Sequence, residues 1–267
     1  MKPSFMKVTN AFYLTFLRYY VRSWRFYGML IVSALLSVTM ATVYFSGAIK
    51  FPHLAASFIS DVLGNITLVI VVVAVFFGGD AFAQDFYSGT GLMILTQPIS
   101  RISVYVGRLF GALTSGVLVI AVYYAVDAAA SLYHYSSIPT GIVSSYGLAI
   151  LFLLASLSFA FFFSTLFRSI PVSIISSFML LFVGFLAIEQ VVLQLGTEPW
   201  YILAYAGGAI DAVPLSNYPP HISSYVINGV QVTSYFPTVE ESVIIMLSYF
   251  AITTMISIIV YNARQLR

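Results

Sequence analysis

Six stretches of this chain are each long and apolar enough to cross a lipid bilayer, and no other feature limits its fold so strongly. A hydrocarbon core of about 30 Å needs roughly 20 apolar residues of helix. A helix is also the only single segment that satisfies its own backbone hydrogen-bonding groups in lipid. On that criterion spans are expected at Tyr27–Ile49, Val62–Gln84, Ser103–Val126, Ile142–Phe167, Ile170–Gln194 and Ser242–Tyr261. Composition supports lipid as the main solvent. With 60% hydrophobic and only 7% charged residues, the chain has too few water-binding side chains to coat a globule. The first apolar run starts late and is longer than the roughly 7–15 apolar residues of a secretory signal, so it reads as an uncleaved span. The expected class is an all-α, polytopic integral membrane protein of about six transmembrane helices, forming one transmembrane domain over 1–267. Residues 1–26 are a cytoplasmic or interfacial lead-in, 27–194 hold spans one to five, 195–241 form an outer segment, and 242–267 hold span six and a tail.

Lysine and arginine set the expected orientation, because they are retained on the cytoplasmic side during insertion. Lys2, Lys7, Arg18, Arg22 and Arg25 precede span one, Arg101 and Arg108 lie around the start of span three, Arg168 joins spans four and five, and Arg264 and Arg267 end the chain. All fall on one side. The opposite loops are expected to hold only Lys50, beside Asp61, Asp127, Glu198, Asp211, Glu240 and Glu241. A multi-pass protein of the cell membrane with both termini cytoplasmic is therefore expected.

In the lead-in, Phe12, Tyr13, Phe16, Leu17, Tyr20, Val21 and Trp24 recur at helical spacing while Arg18, Arg22 and Arg25 share the other face. The pattern predicts an interfacial amphipathic helix, serving either as a simple anchor or as an elbow that docks a cytoplasmic partner. In the outer segment, Asn228-Gly229 between Tyr225-Val226-Ile227 and Val230-Gln231-Val232 signals a two-residue hairpin. Trp200–Val213 is moderately apolar but too short to cross, which suggests a re-entrant or interfacial helix.

Several chemistries are disfavoured. There is no cysteine, hence no disulfide, thiolate metal site or cysteine nucleophile. No phosphate-binding loop or dinucleotide fingerprint is present, so no ATPase site is expected in this chain. His53, His134 and His221 are expected as solvated residues of outer loops, with no metal assigned to them. A net charge of +2 does not suggest a nucleic-acid partner.

The segment between spans two and three is the most informative. It runs Asp85-Phe86-Tyr87-Ser88-Gly89-Thr90-Gly91-Leu92-Met93-Ile94-Leu95-Thr96-Gln97-Pro98-Ile99-Ser100-Arg101. Gly89-Thr90 can start a short amphipathic helix and Pro98 can close it before the next span. An acidic residue, Gly-Thr, a leucine-rich turn and Pro-x-x-Arg leading into a Gly-rich span, here Asp85, Gly89, Thr90, Leu95, Pro98 and Arg101 followed by Gly107 and Gly111, resembles the cytoplasmic loop of the ATP-binding-cassette exporter permeases of the second type. That group includes drug, polysaccharide and bacteriocin exporters; it usually has glutamate where Asp85 stands. Phe163-Ser164-Thr165-Leu166-Phe167-Arg168-Ser169 resembles the same family's turn between spans four and five.

The resemblance implies a permease subunit without its own ATPase site, exporting substrate with ATP and Mg bound on a separate cytoplasmic ATPase subunit. It further implies a second permease copy or a related permease as partner, within membrane lipid. Asp85 to Arg101 would be a coupling helix seated in the ATPase, with Leu92 and Leu95 as apolar anchors, Asp85 and Arg101 as charged contacts, and Arg168 in a second contact. Other candidate residues come from charge and polarity within spans, where an unpaired charge costs on the order of 3 kcal/mol. Asp80 and Arg108 are expected to pair with each other or to snorkel, and Glu189, Gln190 and Gln194 polarise the outer end of span five as a possible substrate route. The competing reading is a membrane-anchor subunit of a larger respiratory or secretion complex. A secondary transporter ranks lower because the charges cluster toward span ends.

Overall fold

The structure is a computed structural model that describes residues 5–84, 100–227 and 230–263. Helix α1 (Phe5–Val21) turns at Arg22-Ser23 into α2 (Trp24–Phe45), the first span. The turn has a local cause: Ser23 is extended, and its Oγ accepts a hydrogen bond from the Phe26 N–H at 3.3 Å, capping α2. Trp24 and Arg25 therefore open span one and are not part of the interfacial helix where periodicity placed them.

Span two is made of α3 (Ala55–Leu63) and α4 (Ile66–Gly78), interrupted at Gly64-Asn65. The break frees carbonyls that lipid could not satisfy, and the Tyr123 hydroxyl donates to one of them, Val62 O, at 2.8 Å. Span three is α5 (Arg101–Tyr135), whose 35 residues extend about 50 Å, well past a hydrocarbon core. This corrects its expected end at Val126. Asp127 is a buried helix residue bonded to Ser37 Oγ at 2.5 Å, and His134, in the last turn, stacks on Phe51 with ring centroids 3.6 Å apart. A charge that looks like a loop signal in sequence is here answered by a serine from another span.

Span four is α6 (Gly141–Leu166). Span five runs through α7 (Ile170–Phe178), a π-helical segment Met179–Gly184, and α8 (Phe185–Gln194). Two short helices follow, α9 (Leu203–Gly207) and α10 (Ala209–Ala212). Both are buried inside the mouth of the bundle, where Ser145 of α6 donates to the Ile210 carbonyl at 2.6 Å. Strands β1 (Ile222–Ile227) and β2 (Val230–Tyr235) pair antiparallel with Ile227 opposite Val230, the register a two-residue connection needs; Asn228 and Gly229, expected to form that turn, lie outside the described residues. Helix α11 (Val239–Ala263) is the last span. It starts three residues before the expected Ser242 because Thr238 and Glu241 form a capping box: Glu241 Oε2 accepts from Thr238 N–H at 2.9 Å and Thr238 Oγ1 from Glu241 N–H at 3.3 Å.

Burial is uneven among the spans. Spans two and four are 61% and 67% buried over their most apolar windows, against 22%, 17% and 22% for spans one, five and six. Spans two and four are thus the centre of the bundle, and small residues bring their neighbours close. A Cβ at Gly78 would come within 2.7 Å of Ala160 Cβ, and one at Gly116 within 2.8 Å of Leu153. Serines of α2 fasten span one to α5, with Ser33 Oγ donating to Val119 O at 3.1 Å.

Candidate coupling site at the arginine-rich end

Helix α4 ends at Gly78-Gly79, just before the segment that carries the family resemblance. A side chain at Gly79 would meet Val75 O at 2.7 Å and Ile174 Cγ1 at 2.8 Å, so bare backbone is what lets α7 lie against this end. The chain then turns. The N–H groups of Phe82 and Ala83, which have left the helix, both donate to the buried Ser164 Oγ, at 2.8 and 3.0 Å. One hydroxyl in the last turn of α6 thereby ties the turn between spans four and five to the start of the segment between spans two and three.

Helix α1 and the start of α2 hold the same turn from the other side. Tyr20 OH donates to Phe77 O at 2.7 Å, Tyr19 OH to Gln84 Oε1 at 3.0 Å, and Arg25 pairs with Asp80 Oδ2 at 2.6 Å. Burial first, and then the Asp80 charge, raises both tyrosine hydroxyls above their ordinary value, which keeps them protonated and donating. The carboxylate of Asp80 is withdrawn from solvent while the Arg25 side chain is 46% exposed, so the cation reaches in from the surface.

Arg108 of α5 is almost completely buried and completes the clamp. Its guanidinium donates to the Ala81 carbonyl and lies between two rings, 4.5 Å from the Phe16 centroid on α1 and 4.9 Å from that of Phe82. A planar, delocalised cation can stack on both rings and still donate in its own plane, which an ammonium cannot. The ion pair to Asp80 thus comes from Arg25, whereas Arg108, the partner expected from sequence, binds the neighbouring carbonyl.

Helix α1 reaches this position because α5 presents glycines to it. A Cβ at Gly107 would stand 2.6 Å from Phe12 Cβ and 2.8 Å from Thr9 O, and one at Gly111 3.0 Å from Phe16 Cβ. The Gly-x-x-x-Gly spacing therefore seats the lead-in helix. Gly107→Val is expected to force α1 off α5 at a cost of about 1–3 kcal/mol. The measurement is the thermal midpoint of the purified protein, with a Gly28→Ala control, where a Cβ meets nothing within 4 Å.

Arg101 closes the ring of contacts. Its NH1 donates to Asn262 O at 2.8 Å and to Tyr261 O at 3.4 Å, placing a cation at the carbonyl end of α11. Arg168 is exposed in the turn between α6 and α7, and Arg18, Arg22 and Trp24 are exposed along the α1–α2 elbow. Asp85, Gly89, Thr90, Leu92, Leu95 and Pro98 lie outside the described residues. Glu189, Gln190 and Gln194 sit on α8, far along span five from Arg168, and the structure does not bring them to the clamp. Tyr19 and Gln84 are members of the site that sequence reasoning passed over; Tyr20 enters it only as part of the lead-in stripe and Ser164 only as part of the turn motif, neither with a role of its own.

Among curated proteins, none matches the chain at a significant level. A family profile described as ABC-2 family transporter protein matches residues 8–199, well over half of the chain and inclusive of the whole clamp except the end of α11. With six helices capable of crossing a membrane, the chain belongs to the ABC-2 transporter family, as a multi-pass membrane permease of an ABC transporter.

Proposed function

We propose that this permease couples ATP hydrolysis on a separate cytoplasmic ABC ATPase, the usual partner of the family, to export of a substrate across the membrane. In this reading the arginine-rich end faces the cytoplasm, with both termini on that side. The segment from Asp85 to Arg101 and the turn at Arg168 are the two elements the ATPase grips, with Gly89, Thr90, Leu92, Leu95 and Pro98 shaping the first. ATP and Mg belong to the ATPase.

The observation that carries the proposal is the joining of both elements at their roots. Ser164 holds Phe82 and Ala83 beside the first element, and Arg101 holds its far end to the last span. A push on either element is thereby delivered to spans two, three, four and six together, as a rigid-body change between access states requires. The sparse burial of spans one, five and six supports a second permease, a copy or a relative, as the other half of the pathway.

The test is reconstitution with a candidate ATPase subunit. The permease alone should hydrolyse no ATP, should copurify with the ATPase, and should change its turnover. A permease with residues 86–98 scrambled should insert normally and lose that effect. An ATPase that binds and couples equally well to the scrambled permease would overturn the assignment.

A further inference from the structure

At the end of the bundle opposite the arginines, three residues from separate segments meet: Glu198 in the loop after α8, His221 at the base of the β1–β2 hairpin, and Glu241 in the first turn of α11. Each offers a ligand atom, and these atoms all lie within 4.8 Å of one another. His221 Nδ1 is 2.9 Å from the Phe236 carbonyl, which can only accept, so this nitrogen carries a proton, with Glu241 Oε2 3.7 Å from it, and Nε2 is left to face Glu198 Oε1 at 3.5 Å. In the neutral imidazole that places two lone pairs against each other with no proton between them. The separation is close to the ligand-to-ligand edge of a tetrahedral site, about 3.4 Å for donors about 2.1 Å from a zinc ion.

The three side chains are also oriented from outside the cluster, as metal ligands are. The Phe236 carbonyl fixes the imidazole, and the Phe236 N–H in turn donates to the His221 carbonyl at 2.9 Å, so the ring stands on paired backbone. Tyr205 OH donates to Glu198 Oε1 at 3.3 Å, and the Thr238 N–H donates to Glu241 Oε2. Each carboxylate retains lone pairs beyond those contacts. The side chains are 25–36% exposed, shielded yet open to an ion arriving from solution.

We infer that Glu198, His221 and Glu241 form a binding site for a divalent transition-metal ion of the zinc type, a mixed nitrogen and oxygen donor set that clasps the outer loop, the hairpin and the last span together. One imidazole and two carboxylates suit such an ion better than calcium or magnesium, which take oxygen ligands. The site departs from the expectation of solvated loop histidines. The inference stands apart from the coupling reading, since it concerns the opposite end of the molecule.

The experiment uses the full chain, freed of any affinity tag, in detergent or nanodiscs, with zinc alone titrated against a chromophoric chelator. One zinc ion per chain is expected, with His221→Asn and Glu198→Gln each weakening it by about a hundredfold or more. His53→Ala should leave binding unchanged. Asparagine keeps a donor for the Phe236 carbonyl, and equal thermal midpoints in chelator show that the variants fold. Zinc should slow amide exchange across 195–241 in the native chain and not in the variants. Equal zinc binding by the native chain and His221→Asn, or no binding by either, would overturn the inference.

Discussion

Replacing Arg108 with methionine should lower the stability of the permease by about 3 kcal/mol, read as a drop of several degrees in its thermal midpoint. The residue is almost completely buried, so its loss cannot be made good by solvent. The Ala81 carbonyl would lose a donor, and unmaking a hydrogen bond to a charged group costs about 1.5–3 kcal/mol. Phe16 and Phe82 would lose the cation between them, worth up to about 2 kcal/mol where water is excluded. Methionine recovers part of the packing, which keeps the total below the sum of these terms. Arg108→Lys separates charge from shape. It restores the cation but not the planar fork, and should recover less than half of the loss.

Ser164→Ala should have the second large effect, and on coupling more than on folding. Two buried N–H groups, those of Phe82 and Ala83, share this one oxygen. Each orphaned donor costs about 1–3 kcal/mol, and the turn can relieve that cost by moving away from α6. The movement would separate the roots of the two proposed ATPase contacts. Transport per ATP hydrolysed should therefore fall by about tenfold, a change equivalent to about 1.4 kcal/mol of lost coupling, while the ATPase continues to bind. Ser164→Thr keeps the acceptor oxygen and should retain coupling. Equal coupling ratios in all three proteins would remove Ser164 from the account.

The spans were legible because lipid imposes a simple rule on length and polarity. The bounds expected for span five are those the structure has, Ile170–Gln194. Errors fell where a polar residue near a span end has a distant partner. Asp127 looks like the edge of a loop because Ser37, which donates to it, is 90 residues away; the same holds for Arg25, whose partner Asp80 is 55 residues away. Periodicity also carried the lead-in helix through Trp24, since it has no means of weighing Ser23 as a cap against a continuing apolar stripe. The trio proposed to hold a metal is hidden in sequence for the same reason as the clamp: its members come together only when the hairpin and α11 have folded toward the loop after α8. The segment proposed to couple to the ATPase shows the reverse situation. Its residues were the most informative in sequence, while the structure contributes the anchoring at both of its ends.

In the proposed arrangement the stretch between spans two and three stands inside the cell, within reach of the ATPase. The chain has no native cysteine, so Thr90→Cys introduces a single reactive thiol. With a membrane-impermeant maleimide, the account predicts labelling in inverted vesicles, blocked when the ATPase is bound, and none on intact cells. Labelling of Cys at this position from outside intact cells would contradict it.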